Sequence, residues 1–409
     1  MRDLNPITAG PLDVKAPGSL YPLSGTLAIQ VFATASILAF PVLSPVIPDA
    51  GSASVGLYLA LVYVGAMAGS YAGGALADKA GPVRVSQWSL GLQAAGLLLL
   101  CVPGTASRVF GAMLCGFGYG PITPASSMIL ARTTTVERVG LVFSLKRTGV
   151  PLGGLAAGCA LPGLSALTTW HGALLVLAIM TLGIAALCNP LRASLDKVMH
   201  TAPPPSSRAF ARPVMLILSS PRLRVLATLS LMFSAVQLCV SGYLTAYLGT
   251  EANLSLVLAG LVYAAAQAAG MAGRLLWGHL ADRTQSSRAV LALVAVLMAA
   301  SVLGISMLGP DWRLSVVCVI AVCLGATAIG WNGVFLAEVA RLAPPGQVAT
   351  ATGGALFFTY IGVVIGPPVF GWSVSQWGNM SMSFAGLALL PCCAVLLILL
   401  ARPVAAAPR

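Results

Sequence analysis

The sequence predicts an all-α membrane protein, with twelve transmembrane helices in two six-helix halves. Three observations lead there. With 58% hydrophobic residues, 8% charged residues and 44 glycines in 409 positions, the chain is too apolar for a water-soluble globule. Its apolar stretches run about 20 residues, the length at which a helix crosses a bilayer with every backbone amide bonded internally, and lack the short alternation of a barrel. One loop pattern also occurs twice, as Gly74-Ala-Leu-Ala-Asp78-Lys79 and Gly278-His-Leu-Ala-Asp282-Arg283, with Arg84 and Arg288 each standing six residues past the aspartate.

The elements follow in order. Residues 1–23 are polar and read as a cytoplasmic tail without a cleavable leader pattern. Spans at 24–47, 54–77, 83–102, 107–130, 138–160 and 168–188 make an N-terminal half, 24–188. Residues 189–221 carry Pro203-Pro204-Pro205-Ser206-Ser207 among scattered bases and read as a cytoplasmic linker. Spans at 223–248, 256–280, 288–308, 314–337, 347–370 and 381–401 make the C-terminal half, 222–401, and 402–409 is a cytoplasmic tail. Ala131-Arg132 leaving span 4 matches Ala340-Arg341 leaving span 10.

Charge sets the orientation. With both termini inside, 17 of the 22 lysines and arginines are cytoplasmic and only Arg108 and Arg313 lie outside, as the positive-inside rule requires. The +12 net charge is therefore a topology signal and not a nucleic-acid footprint. The nine cysteines fall in or at the ends of spans, where a thiol behaves as a small apolar group. His171, His200 and His279 lie at loops or span ends with no cysteine or acid at ligand spacing, which argues against catalysis. The expected protein is a multi-pass inner-membrane monomer, with no cofactor and with the bilayer and a small solute as partners.

Three ionised residues lie deep in the spans, Lys146, Arg147 and Arg274, and no acid accompanies them. Each costs about 2.5 to 3.5 kcal/mol to insert and needs a compensating role. An anion about 4 Å from one such cation gains roughly 4 kcal/mol at an effective dielectric of 20, and a cationic solute is repelled as strongly. Lys146 lies eight residues past Arg138 and Arg274 eight before Asp282, so each is about 12 Å from the cytoplasmic edge. Placed on facing helices, the two converge on one carboxylate. Arg147 points about 100° away from Lys146, and either side chain alternatively snorkels to the headgroups.

Polar groups accompany the cations. Tyr263, Gln267, Gly270 and Arg274 recur on one face of span 8. Span 4 offers Tyr119, Thr123, Ser126 and Ser127, and span 10 offers Thr327, Trp331 and Asn332. Their other reading is bonding between packed helices. Gln30, Gln237, Tyr243 and Tyr247 are fainter candidates, the two tyrosines reading equally as an outer aromatic belt. Gly149-Val-Pro151-Leu-Gly153-Gly154 on span 5 and Gly366-Pro367-Pro368 on span 11 combine close helix approach with missing backbone donors, and both spans are expected to bend or slide there.

The duplicated G-x-L-A-D-[KR] turn resembles the major facilitator superfamily, and the likeness covers essentially the whole chain. It implies that spans 1, 4, 7 and 10 line a central cavity, that 2, 5, 8 and 11 form the seam between halves, and that rocking of the halves gives alternating access. It also implies that Asp78, Arg84, Asp282, Arg283 and Arg288 latch a cytoplasmic gate. Gly273-Arg274-Leu-Leu-Trp277-Gly278 resembles span 8 of monocarboxylate porters and of the oxalate/formate antiporter, where the arginine binds a substrate carboxylate. This chain has Gly270 where those porters carry an acid, and it lacks the span-11 lysine of the oxalate system, for which Lys146 offers a substitute. The resulting expectation is a secondary active transporter of a small organic anion, a carboxylate, exchanging it for a counter-anion or moving it with a proton. The alternative is a proton-coupled multidrug exporter. Span 5 is similar to the G-P-x-x-G-G signature of such exporters, but its proline stands two residues before the glycine pair instead of three.

Overall fold

The computed structural model describes residues 20–135, 138–196 and 208–400, and every regular element among them is helical. Glycine, proline and serine place the ends. After α1 (Leu20–Leu43), α2 (Ser52–Ala80) stops at Gly81, whose φ of +95° favours glycine. α3 (Pro82–Leu100) then starts on a proline, which gives up an amide that has no helical partner in the first turn. α4 (Thr105–Tyr119) and α5 (Ile122–Thr133) are one rod interrupted at Gly120-Pro121, and α6 (Val139–Arg147) and α7 (Gly149–Leu167) are parted at Thr148. α8 (Trp170–Leu187) begins under the Thr169 hydroxyl, which accepts from Gly172 N at 3.1 Å.

Two short helices, α9 (Asn189–Leu195) and α10 (Arg208–Ser219), lie in the connection, whose proline run falls outside the described residues. α11 (Pro221–Thr250), α12 (Leu256–Thr284) and α13 (Ser287–Ser306) each open on a serine cap, from Ser220, Ser255 and Ser286. α14 (Leu314–Ala328) and α15 (Asn332–Leu342) form a second interrupted rod. α16 (Val348–Trp377), α17 (Met380–Leu387) and α18 (Leu389–Leu400) complete the chain, and α16 stays helical through Pro367 and Pro368.

Among the described residues, ten helical stretches are long and apolar enough to cross a membrane. The two expected crossings outside that set are α3, which carries Ser86, Gln87, Ser89 and Gln93, and the α4–α5 rod, divided at Pro121.

Helices α1 to α8 pack mainly among themselves, as do α11 to α18, and the two groups meet where α2 lies on α16, α7 on α12 and α1 on α11. Glycines let the backbones touch. A Cβ on Gly158 would come within 2.7 Å of the Gly260 carbonyl oxygen, and one on Gly260 within 2.4 Å of that of Gly158. A Cβ on Gly56 would meet Pro367 O at 2.5 Å, and one on Gly371 would meet Ser52 O at 2.4 Å. Tyr243 closes this corner, its hydroxyl 2.8 Å from both Ser52 O and Pro367 O. The placement of Tyr243 and Tyr247 in an aromatic belt is thereby corrected. Both are fully buried, and Tyr247 donates to Ile305 O at 2.6 Å, because a phenol inside a bundle must bond internally.

This sealed corner lies opposite the Asp78 and Asp282 turns. At the end carrying those turns, α5 packs on α1, α2, α3 and α6, and α15 on α11, α12, α13 and α16, each within its own group. Nothing lies within 4 Å of a Cβ built on Gly74, Gly278 or Gly353. The seam is closely packed at the Tyr243 corner.

Candidate functional site

The interruption at Gly120-Pro121 turns Tyr119 inward. Pro121 offers no amide to Phe117 O, and Gly120 lets the bend press on α2, since a Cβ there would meet Ala66 O at 2.2 Å. The Tyr119 hydroxyl lies 3.4 Å from Gln30 Nε2, which also donates to Thr34 Oγ1 at 3.3 Å. The equivalent break ahead of α15 places Trp331 and Asn332, whose Nε1 and Nδ2 donate to one acceptor, Gln237 Oε1, at 3.0 and 3.1 Å. Both interrupted rods therefore bring a hydrogen-bonded cluster to mid-height, α4 against α1 and α15 against α11.

The α12 face is as its spacing predicts. Gln267 Nε2 donates to the Tyr263 hydroxyl at 2.6 Å, and both side chains are buried against α7, where a Cβ on Gly154 would meet Gln267 Cδ at 2.6 Å. Gly270 lies against Ile329 of the α14–α15 break. One turn further, Arg274 donates from Nε to Ile329 O at 3.3 Å and from Nη1 to Arg147 O at 3.0 Å, a bond that crosses the seam.

The three cations gather, though not in the expected pairing. Arg147 interacts electrostatically with both Lys146 and Arg274, and its side chain is exposed, while Lys146 is buried at 4% exposure. The cation that α6 presents to Arg274 is thus Arg147, since successive side chains diverge by about 100° and α6 packs on α1 and α5. None of the three makes an ion pair among the described residues. Glu338, the nearest thing to a membrane acid, is held by Arg341 at 2.6 Å.

Gln30, which bonds the Tyr119 hydroxyl and packs on Gly149 two residues past Arg147, joins the cations to a group of phenols. The Tyr119 ring stands 6.4 Å from that of Tyr63 on α2, edge to face, and Tyr263 and Tyr360 on α16 lie near Tyr63. Tyr63, Tyr360 and Thr34 were not anticipated; a tyrosine at mid-span is the signal that marks the first two.

Of the gate residues, Asp78 and Asp282 make no ion pair among the described residues, Arg283 is exposed, and the Arg288 guanidinium bonds Ile398 O at the end of α18. An unanticipated acid serves the first turn. Asp196, just past α9, accepts from Val83 N at 2.9 Å and Arg84 N at 3.0 Å, capping α3, and Arg132 donates to neighbouring Leu195 O at 3.0 Å. Gly149 rests on Gln30 of α1 immediately after the α6–α7 break, Pro151 sits in the first turn of α7, and Gly366 abuts Ala235 of α11.

With this architecture in place, comparison with known proteins is decisive. The family model of the major facilitator superfamily matches residues 25–367. The chain belongs to that superfamily. This major facilitator protein is accordingly a multi-pass membrane transporter and not an enzyme. It is 26% identical over 342 residues to monocarboxylate transporter 13 of Rattus norvegicus, covering 81% of this chain and 76% of that one. It is 28% identical over 106 residues to a benzoate transport protein of Acinetobacter baylyi, a match to 26% of this chain and 22% of that relative. Among solved structures, a bacterial homologue of the human lysosomal transporter Spinster, inward-facing and occupied, superposes with a TM-score of 0.75 at 14% identity over 93% of this chain and 96% of that one. A nucleoside transporter gives 0.75 at 15% identity, over 92% and 99% of the two chains. A peptide-family transporter in complex with 5-aminolevulinic acid gives 0.74 at 16%, over 93% and 95%.

Proposed function

We propose that this transporter moves a small organic anion, a carboxylate, across the inner membrane by alternating access. The observation that carries the reading is the cluster of Arg274, Arg147 and Lys146 at the seam, without an acidic partner among the described residues and with Lys146 and Arg147 supplied by one half and Arg274 by the other. A carboxylate bridging Arg274 and Arg147 gains roughly 4 kcal/mol from each at about 4 Å, enough to offset the loss of its own hydration. Tyr119, with Trp331 and Asn332 from the facing half, supplies neutral hydrogen bonds for the rest of the solute. The monocarboxylate and benzoate relatives support the same solute class.

In this reading the chain crosses the bilayer twelve times with both termini cytoplasmic, so the end of the seam that carries the Asp78 and Asp282 turns faces the cytoplasm. Asp78 and Asp282 then stand as released gate residues, which re-form charge contacts when the halves rock. Glu338, a buried carboxylate inside the Leu314–Leu342 stretch, is held by Arg341 and so is not offered as a proton relay. The solute enters in exchange for another anion or brings its own proton.

Titration of the purified transporter with a panel of carboxylates, neutral sugars and lipophilic cations, followed by melting temperature, tests this, because a ligand of the folded state raises the melting point by mass action. A carboxylate shift abolished in Arg274→Ala and reduced about tenfold in apparent affinity in Arg147→Ala is expected. A shift with lipophilic cations alone, unchanged in Arg274→Ala, overturns it.

A further inference from the structure

We infer that the anion carries an aromatic ring, received by a chamber of four tyrosines contributed by both halves. The inference rests on the carboxylate reading and deepens it. Four helices each supply one phenol to this part of the seam: α2 gives Tyr63, α4 Tyr119, α12 Tyr263 and α16 Tyr360. Tyr63 and Tyr119 stand edge to face with centroids 6.4 Å apart, which is the packing aromatic rings prefer, and Tyr263 and Tyr360 lie near Tyr63. Gln30 bonds Tyr119 and packs on Gly149, two residues past the Arg147 carbonyl that Arg274 bonds, so phenols and cations are joined through α1.

The tyrosines divide by their bonding. Tyr263 is buried and committed to Gln267 at 2.6 Å, which fixes the floor of the chamber against Gly158 of α7, whose Cβ position lies 2.7 Å from the Tyr263 ring. Tyr63, Tyr119 and Tyr360 are only partly buried although they lie between the halves. Partial exposure there leaves ring faces and edges for a solute. A short aliphatic acid such as lactate fills the cationic end and leaves these rings wet. An aromatic acid places its carboxylate on Arg274 and Arg147 and its ring among the tyrosines. A hydroxyl on the far side of that ring meets phenol oxygens that both donate and accept.

The experiment compares benzoate, 4-hydroxybenzoate, lactate and oxalate as ligands of the purified transporter by calorimetry, in wild type, Arg274→Ala, Tyr360→Ala and Tyr360→Phe. Wild type is expected to bind both aromatic acids about tenfold more tightly than lactate, the scale of one or two aromatic contacts. Tyr360→Ala loses most of that preference and keeps lactate binding within about twofold. Tyr360→Phe, which preserves the ring and its packing, keeps benzoate affinity and loses the advantage of 4-hydroxybenzoate. Arg274→Ala loses all four acids. Tighter binding of lactate or oxalate than of the aromatic acids in wild type, with Arg274→Ala still abolishing binding, overturns the ring chamber and leaves the anion site standing. Unchanged aromatic binding in both Tyr360 variants also overturns it. Carboxylate binding retained in Arg274→Ala overturns the anion reading itself.

Discussion

Single side chains fix the local arrangement at both ends of the bundle. The Tyr243 hydroxyl sits between two main-chain carbonyls, one on α2 and one on α16. Tyr243→Phe removes the one proton that the two carbonyls share and leaves each with only its partner inside its own helix, a loss of about 1 kcal/mol, or roughly fivefold in the balance between closed and open forms. Spin-label distances across the outer ends of α2 and α16 are expected to show a new, longer population in that variant. Asp196→Ala acts on stability instead, because two amides of the first turn of α3 lose their acceptor. A drop of about 1 to 2 kcal/mol is expected, seen as a lower melting temperature, with Asp196→Asn recovering part of it. Sequence alone made Arg274 conspicuous as a charge in an apolar helix. Asp196 was illegible because its partner lies 113 positions earlier in the chain, beyond the reach of any local pattern.

Helices pose a different problem, since their glycines and prolines are visible in the sequence while the partner each one faces is not. The seam spans were recognisable, and Gly149 to Gly154 and Gly362 to Gly366 do lie at helix contacts. The Gly158–Gly260 contact between α7 and α12 depends on register across the two groups. Gly158→Val puts a side chain where the Gly260 carbonyl stands, so that the backbones must part by several tenths of an ångström or more. The expected outcome is a folded protein whose outer seam no longer closes, detected as faster maleimide labelling of a cysteine introduced at Ser255. The breaks at Gly120-Pro121 and before Asn332 were also missed, because the apolar runs through them are continuous and hydropathy does not sense a bend. Pro121→Ala restores a backbone donor. It is expected to straighten the α4–α5 rod, withdraw Tyr119 from Gln30 and weaken solute binding severalfold by calorimetry.

At the scale of the whole molecule, duplication and charge bias were enough to predict a two-part helical membrane protein, since both are properties of composition and period. Which cation meets Arg274 was not, since that depends on how α6 is rotated about its axis. If the halves rock about the Tyr243 corner, the distance between the Asp78 and Asp282 turns must change when solute binds. Gly74 and Gly278 occupy equivalent places in the two turns and have open space at their Cβ positions, so Gly74→Cys and Gly278→Cys are tolerated label sites once exposed Cys159, Cys323, Cys392 and Cys393 are replaced. Electron-spin distance measurement between them is expected to shift inward on addition of the bound acid. No change at saturating acid would count against rocking.

The cap on α3 has a consequence for biosynthesis. During translation the first turn of α3 leaves the ribosome more than a hundred residues before Asp196 does, and Arg132 likewise awaits the carbonyl of Leu195. Until then those donors are satisfied only by water at the membrane surface. The first half is thus fastened by the connection that follows it, and a nascent chain arrested at Cys188 should be markedly more open to protease at the Gly81 turn than one arrested far enough on to expose Asp196.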